Sequence, residues 1–370
     1  MIDISWYCDI IEVKSKLFAV QLLPEKGIDV SRSDAFTKLP KAELHIHLEA
    51  VASIKTLLRL NRKYGVLEIE REKEFEDYIF VDSLSEMIQN FFDLQKLFRE
   101  PDDYRFLIQD VLDYMIENRI DYLEGFLSPS MVKNLGYVSV HEFFELFDES
   151  IKGIWNQYHK RICLIVDLSR SFGPENAMEN LDIVRDYMKN FPDTAIIGLG
   201  LGGLEIGNPA RDYSTVFRKA KDTGLHIVAH AGEEVGPESI MEAIDLCFAE
   251  RIGHGTSAIY DRKVMNILRD RKIPLEVCVT SNVFTKKYVC DYSEHPIGKF
   301  IEHGIPVTVN TDDPTLFGIG LNQEIDNLIS KCGISKKTIV SLLKNNIDYS
   351  FMPDDEKKNF WLTKVSPLIS

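Results

Sequence analysis

The chain has 370 residues, of which 45% are hydrophobic and 27% charged, so a large buried core is available. Its formal net charge of −15 argues against partners with a polyanionic surface, and we therefore exclude nucleic acid and anionic membranes. No run of about 18 apolar residues occurs, and the N-terminus lacks the pattern of a signal peptide. We expect a cytoplasmic protein without a membrane-spanning helix.

The chain divides into a leading segment and one long domain. Residues 1–38 precede the first strand-like run and are predicted to form an N-terminal extension. Residues 39–370 contain no internal repeat, low-complexity tract or linker, and are predicted to form a single domain. That length exceeds an average domain, but single α/β barrels commonly reach it.

Eight short apolar runs recur along the chain, with helix-like stretches between them. They lie near residues 42–49, 120–128, 162–169, 195–203, 225–232, 250–255, 273–281 and 305–313. Most are almost continuously apolar, which is typical of strands buried on both faces of a parallel sheet. This alternation predicts an α/β fold, a (β/α)8 TIM barrel whose reactive side chains lie at the C-terminal ends of the strands.

The alternative architecture is an open doubly wound sheet that binds a dinucleotide. It requires a G-x-G-x-x-G turn that leads into a helix. The string GLGLGG does not fit, since its glycines are Gly198, Gly200, Gly202 and Gly203. We therefore prefer the barrel.

Residues 53–118 predict extra helices between the first and second strands. This region is much longer than a single crossover helix. Long insertions at the catalytic face of a barrel often form lids or substrate walls. Helices that merely cover the barrel are an equally good interpretation at this point.

Residues of the kind that bind metal ions lie at the ends of several predicted strands. His45 and His47 are two positions apart, so on a strand both side chains project from one face and form half of a metal site. His230, His254 and Asp312 end three other predicted strands. Imidazoles and a carboxylate suit Zn²⁺, which lowers the pKa of a bound water to about 7 and so supplies a nucleophile.

Two further acids lie beside these candidates. Glu233 follows His230 by three residues, which places a carboxyl group near the same cavity but directed elsewhere, as expected for a proton donor. Asp312 and Asp313 are adjacent, so their side chains diverge. One of them is expected to serve the metal and the other the substrate.

Several strings carry a resemblance to a known family. In chain order they are LPKAELHIHLE, GLGLGGLE, HAGE, RIGHGTSA, LEVCVTSN and HPIGKFIEHGIPVTVNTDDP. Together they resemble the adenosine deaminase family of metal-dependent hydrolases, from about Leu39 to at least Phe317.

The resemblance implies a (β/α)8 barrel and one Zn²⁺ per chain, held by His45, His47, His230 and Asp312. It assigns to Glu233 the protonation of purine N1, and to His254 the orientation or deprotonation of the attacking water. It also places Asp313 at N7 and the backbone N–H of Gly203 at N3, with His47 facing the substrate.

Two positions bear on the choice of substrate. Where many family members have H-x-H-L-D-G, this chain has H-I-H-L-E-A, so Glu49 replaces the aspartate that usually binds the ribose 5′-hydroxyl. Glu49 retains an acceptor but is one methylene longer. Arg170 follows the third predicted strand, where an arginine pairs either with a substrate carboxylate or with a neighbouring loop acid.

The sequence therefore predicts a zinc-dependent hydrolase of a small-molecule purine nucleoside, most simply adenosine or deoxyadenosine, which releases ammonia and leaves inosine or its deoxy form. Aminodeoxyfutalosine, an adenine nucleoside with a carboxylate-bearing aromatic group, and free adenine are the alternative substrates. A non-catalytic purine-binding barrel is the alternative from a different class. The second class of zinc deaminases is excluded, since P-C-x-x-C is absent from the sequence.

Overall fold

The computed structural model describes residues 35–80 and 84–369, and eight parallel strands in this part of the chain form one sheet. The strands are hydrogen-bonded in chain order, from β1 to β8. Their bounds are β1 Lys41–Glu43, β2 Ile120–Leu127, β3 Arg161–Asp167, β4 Ile196–Leu201, β5 His226–Ala231, β6 Arg251–His254, β7 Leu275–Val277 and β8 Val307–Val309. The predicted (β/α)8 barrel is confirmed.

Helices connect the strands and cover the outside of the sheet. Between β1 and β2 lie α1 Ile54–Tyr64, α2 Glu72–Ile79, α3 Leu84–Gln95 and α4 Pro101–Glu117. Later crossovers contain α5 Pro129–Leu135, α6 Val140–Tyr158, α7 Gly173–Asn190, α8 Ser214–Ala220, α9 Pro237–Leu246, α10 Arg262–Arg271, α11 Val279–Thr285 and α12 Ile297–Glu302. After β8 come α13 Pro314–Phe317, α14 Leu321–Ser330, α15 Lys336–Asp348, α16 Asp354–Asn359 and a π-helical turn, Phe360–Val365.

The first and last strands meet at a seam, the β1–β8 seam, that side chains help to close. A parallel bridge between Ile46 and Asp312 links the chain just beyond the two strand ends. Asn346 of α15 is fully buried and donates from Nδ2 to the carbonyl oxygens of Ala42 and Val309. Its Oδ1 accepts the N–H of Val309. This one amide therefore replaces part of the missing strand ladder.

Strands β1, β7 and β8 end earlier than predicted. The two histidines of H-x-H consequently follow β1 instead of lying on it, and the bridges Ile46–Asp312 and His47–Phe126 hold that segment in place. Asp312 has a φ of 68°, a left-handed conformation that ends the extended chain after β8. The side chains of His45 and His47 nevertheless both reach the same carboxylate oxygen, on Asp312.

The inserted helices contribute to the mouth of the barrel. Helix α3 places Met87, Ile88, Phe91 and Phe92 on the wall of the central cavity. The expectation of a substrate wall therefore describes α3, while α4 packs against α6 outside the barrel.

The boundary of the N-terminal extension stays a prediction, since residues 1–34 lie outside the described part of the chain. Ala35 and Phe36, at the end of that segment, are buried in the main hydrophobic core. Of the helices that the structure describes, none is long and apolar enough to cross a membrane.

Candidate active site

A cavity opens at the C-terminal ends of the strands, where small-molecule sites of such barrels lie. In the described part of the chain, six carboxyl side chains line it: Glu49, Asp167, Glu233, Glu234, Asp312 and Asp313. An apolar wall faces them, formed by Met87, Ile88, Phe91, Phe92 and Phe172. Among the described residues, no lysine or arginine lines the cavity. The cavity is therefore acidic on one side and apolar on the other.

Three histidines and one aspartate converge at the base of this cavity. The Nε2 atoms of His45 and His47 lie 3.3 and 3.4 Å from Oδ1 of Asp312. The Nε2 atom of His47 lies 3.2 Å from Nε2 of His230. Ligands held tetrahedrally at the usual zinc distances are about 3.3 Å apart, so this spacing fits one shared zinc ion.

Buried ring nitrogens without a hydrogen-bond partner also point to a missing ligand. In the described part of the chain, Nε2 of His45 and Nδ1 of His230 are such atoms. A buried polar atom left unpaired costs free energy, and coordination of a cation removes that cost for a ring nitrogen that faces it. The orphan Nε2 of His45 faces the cluster, so the donor set fits a zinc ion.

The remaining histidine, His254, differs in position from these three. Its Nε2 is 3.9 Å from Oδ2 of Asp312, the oxygen that accepts a hydrogen bond from Ser281, and 3.4 Å from Oε2 of Glu233. It therefore lies between the cluster and the predicted proton donor. His45, His230, His254 and Asp312 are close enough together to hold one metal ion, as are His47, Asp312 and Asp313, so the separation of His254 from the ligand set stays a prediction.

A chain of hydrogen bonds fixes the ring of His254. The backbone N–H of Ile297 donates to Nδ1 of His295, whose Nε2 in turn donates to Oδ1 of Asn282. The amide of Asn282 then donates to Nδ1 of His254. Burial lowers the pKa of His254 to about 4, so the ring is neutral and carries its proton on Nε2, facing the cavity.

Behind the cluster, a buried ion-pair network orients His45. Its Nδ1 donates to Glu276 over 2.7 Å, which leaves Nε2 to face the cluster. Arg251 lies 2.6 Å from both Glu276 and Glu124. Burial raises the pKa of Glu276, but the charge of Arg251 and the bond from His45 outweigh it and hold the pKa below its usual value.

Replacing Glu276 by glutamine is expected to weaken zinc binding by about 10- to 100-fold, because the neutral amide orients His45 less well and leaves Arg251 under-compensated. Competition with a chelating dye measures the affinity. Glu124→Gln is the matched control, since it removes a charge beside Arg251 without touching His45. Equal losses in the two variants would contradict a specific role for Glu276.

Glu233 is placed by a carboxylate that sequence reasoning did not single out. The buried Glu205, in the loop after β4, accepts the backbone N–H groups of Gly232, Glu233 and Glu234 at 2.8, 3.1 and 2.8 Å. This fixes the turn after β5. Burial, together with the negative charge of Asp312, raises the pKa of Glu233 well above its usual value, so its carboxyl group holds a proton. Glu205 ends the quoted string GLGLGGLE, which was the available signal.

The two adjacent aspartates occupy different environments. Asp312 directs Oδ1 to the histidine cluster and Oδ2 to the hydroxyl of Ser281, 2.6 Å away. Asp313 lines the cavity, and burial together with the charge of Asp312 raises its pKa to about 7. Asp312 thus faces the histidines and Asp313 faces the cavity, and the division into a metal-binding and a substrate-binding residue stays a prediction.

Gly203 has two structural reasons to be glycine. Its φ is 81°, a conformation that other residues rarely adopt. A Cβ atom there would lie 2.6 Å from Oγ of Ser169 and 2.9 Å from Oγ of Ser171. Packing against the residues that follow β3 therefore leaves no room for a side chain at this position.

Glu49 lies in a 3₁₀ turn beyond β1 and lines the cavity. Its Oε1 accepts the backbone N–H of Ser128 over 2.7 Å. Burial raises its pKa to about 7. The side chain is thus anchored by one oxygen.

Arg170 does not occupy the place that either interpretation gave it. Its side chain is buried outside the cavity lining and donates to the carbonyl oxygens of Asn208 and His230. It forms neither an ion pair with a loop acid nor part of a carboxylate pocket in the described structure. Its structural effect is to hold the end of β5, which carries His230.

Comparison with known proteins places the chain. The family model described as "Adenosine deaminase" matches residues 40–365. The chain belongs to the adenosine deaminase family. The predicted resemblance is thereby confirmed, and the chain is a hydrolytic deaminase.

Relatives within the adenosine deaminase family carry different substrate names. An aminodeoxyfutalosine deaminase of Streptomyces coelicolor is 33% identical over 85% of this chain and 80% of its own length. An adenosine deaminase of Vibrio cholerae is 32% identical over 87% of this chain and 96% of its own. Family membership therefore establishes that the chain is a deaminase, but it does not identify the substrate. The substrate must be inferred from the residues of the site.

Solved structures of similar proteins share the barrel. The adenine deaminase of Arthrobacter aurescens superposes with a TM-score of 0.81 at 26% identity, over 86% of this chain and 96% of that chain. The Arabidopsis protein ADAL in complex with GMP superposes with a TM-score of 0.76 at 25% identity, over 88% and 96%.

Proposed function

We propose that this protein deaminates an uncharged 6-aminopurine nucleoside, adenosine or deoxyadenosine, at C6, producing the 6-oxopurine nucleoside and ammonia. The observation that carries the proposal is a cavity that joins the His/Asp cluster to Glu233 and Asp313 and has no lysine or arginine among its described lining residues. A neutral base with a neutral sugar matches that lining.

His45, His47, His230 and Asp312 would hold the zinc ion. When bound, zinc lowers the pKa of a water to about 7 and so supplies the nucleophile that attacks C6. The short distances from Asp312 to His45 and His47, and from His47 to His230, support this set, as does the orientation of His45 by Glu276.

The proposed acid is Glu233, which gives its proton to purine N1 as water adds to C6. Addition to the ring places electron density on N1, and protonation there removes the developing charge. The backbone bonds to Glu205 hold the carboxyl group beside the cluster. His254, with its proton on Nε2, donates toward the reacting oxygen and orients the water instead of removing its proton.

Two further contacts would orient the purine. Burial beside Asp312 raises the pKa of Asp313 to about 7, so its protonated form is accessible at neutral pH and donates to the N7 lone pair. The backbone N–H of Gly203 donates to N3. Glu49 is proposed to accept a hydrogen bond from the sugar.

Aminodeoxyfutalosine is the second candidate, and the apolar wall is the observation that favours it. The side chains of α3 and Phe172 offer a surface for its aromatic group. Its carboxylate, however, lacks a basic partner in the described lining, since Arg170 is buried elsewhere. We therefore rank it below adenosine.

A deamination panel with the zinc-loaded protein tests the proposal. Adenosine, deoxyadenosine, adenine, aminodeoxyfutalosine and AMP are compared by ultraviolet absorbance and ammonia release. We expect the highest kcat/KM for adenosine or deoxyadenosine. AMP is expected to be at least about 100-fold worse, because its phosphate meets a lining of carboxylates. Preference for AMP, or no turnover of any substrate, would refute the proposal.

A further inference from the structure

An acid at the end of β3 faces the cavity and is used by none of the roles described above. Asp167 is the last residue of β3, is 4% exposed and lines the cavity. Its Oδ1 accepts the backbone N–H of Gly202 over 2.7 Å. Its Oδ2 makes no hydrogen bond within the described part of the chain, and it is not among the fully buried unpaired atoms. One oxygen is thus anchored and the other faces the cavity.

The backbone that follows β4 lies very close to the carboxylate of Asp167. A Cβ atom at Gly202 would lie 2.9 Å from Oδ1 and 3.1 Å from Oδ2 of Asp167. The close approach of the β4 backbone therefore restricts the side chain to the observed position. Such a restricted acceptor loses little conformational entropy when a ligand binds, as specific recognition requires.

The other acids of the cavity have roles or partners already. Glu233, Asp312 and Asp313 are directed to the purine or to the zinc cluster, and Glu234 accepts the backbone N–H of Glu205. Glu49 and Asp167 remain. Each uses one oxygen to accept a backbone N–H, from Ser128 and Gly202 respectively.

Two anchored carboxylates near a bound purine are complementary to hydroxyl groups, which donate to them. A phosphate or a carboxylate finds no lysine or arginine in the described lining to pair with, and it is repelled by either acid when that acid is ionised. Hydrogen bonds to a charged acceptor are also stronger than neutral ones.

We infer that Asp167 is a specificity-determining residue that accepts a hydrogen bond from a sugar hydroxyl of the substrate. Together with Glu49 it selects an adenine nucleoside over free adenine and over nucleotides. This inference rests on the proposed function and adds a second sugar contact to it.

Asp167→Asn tests the inference. The amide oxygen still accepts the N–H of Gly202, so the loop is preserved while the charged acceptor is lost. We expect kcat/KM for adenosine to fall by about 10- to 100-fold. The fall is expected to be smaller for whichever of 2′-deoxyadenosine and 3′-deoxyadenosine lacks the contacted hydroxyl. The affinity of free adenine, measured by competition with adenosine, stays within about two-fold.

Relative activity toward AMP is expected to rise in Asp167→Asn, because one repelling charge is removed. Asp186→Asn, on the exposed face of α7, is the matched control and leaves all constants unchanged. A similar loss for adenosine, both deoxy analogues and adenine would show a structural role only. Unchanged adenosine kinetics would also overturn the inference. These outcomes differ from a failure of the proposed function itself. That failure would be seen in the unsubstituted protein, which would be inert or would prefer AMP.

Discussion

The Glu233→Gln variant is expected to bind zinc normally and to lose about 10²- to 10⁴-fold in kcat, the usual contribution of a positioned general acid. Glutamine preserves the size of the side chain and the backbone bonds to Glu205, but it has no carboxyl proton to give to N1. None of the four proposed ligand atoms is changed. Zinc content by mass spectrometry and steady-state kinetics with adenosine measure the two quantities separately.

Glu242→Gln provides the control for Glu233→Gln. Glu242 lies on α9 outside the cavity lining and pairs with Arg211, so the same chemical change there should leave kcat within about two-fold. Near-normal turnover by Glu233→Gln would remove this residue from the mechanism. Loss of zinc from the variant would instead show that Glu233 supports the cluster.

Substitution of the two adjacent aspartates by asparagine is expected to separate metal binding from substrate binding. Asp312→Asn removes the charged oxygen that faces both His45 and His47, so zinc affinity should fall by more than about 100-fold, beyond the effect of losing an outer partner. The kcat of Asp312→Asn should fall together with its zinc affinity. Excess zinc in the assay should restore part of the activity.

In contrast to Asp312→Asn, the Asp313→Asn variant is expected to retain its zinc ion. An amide N–H can still donate to purine N7, so kcat/KM should fall by only about 10-fold, and zinc content should stay at one per chain. Matched chelator titrations of the two variants give the comparison. Equal zinc loss in both would mean that both carboxylates support the metal, contrary to the separate roles proposed for them.

Much of the barrel can be predicted from the sequence because each strand is buried on both faces. Runs such as ICLIV and IIGLGL are apolar on both faces, and eight strand-like runs alternate with helices. The H-x-H pair, His230 and Asp312 were identified for the same reason, as polar residues where apolar runs end. Asp167 ends the third run in the same way, yet no motif drew attention to it.

What the sequence did not reveal depends on long-range packing and side-chain direction. Arg170 follows β3 as predicted, but its long side chain turns into the wall and binds carbonyl oxygens, which position along the chain does not determine. Glu205 ends the string GLGLGGLE, but its role arises from the turn after β5, which folds around it and is distant in sequence. The early end of β1 follows from pairing with residues near 312.

The β1–β8 seam has a consequence for how the protein is made. Its two sides come from opposite ends of the barrel domain, and even His45 and its partner Glu276 are 231 positions apart. During synthesis, the segment that carries His45 and His47 leaves the ribosome long before Asp312 and Asn346 exist. The edge of β1 that faces β8 therefore stays unpaired until β8 has been synthesised. Barrel closure and zinc binding both become possible only near the end of translation.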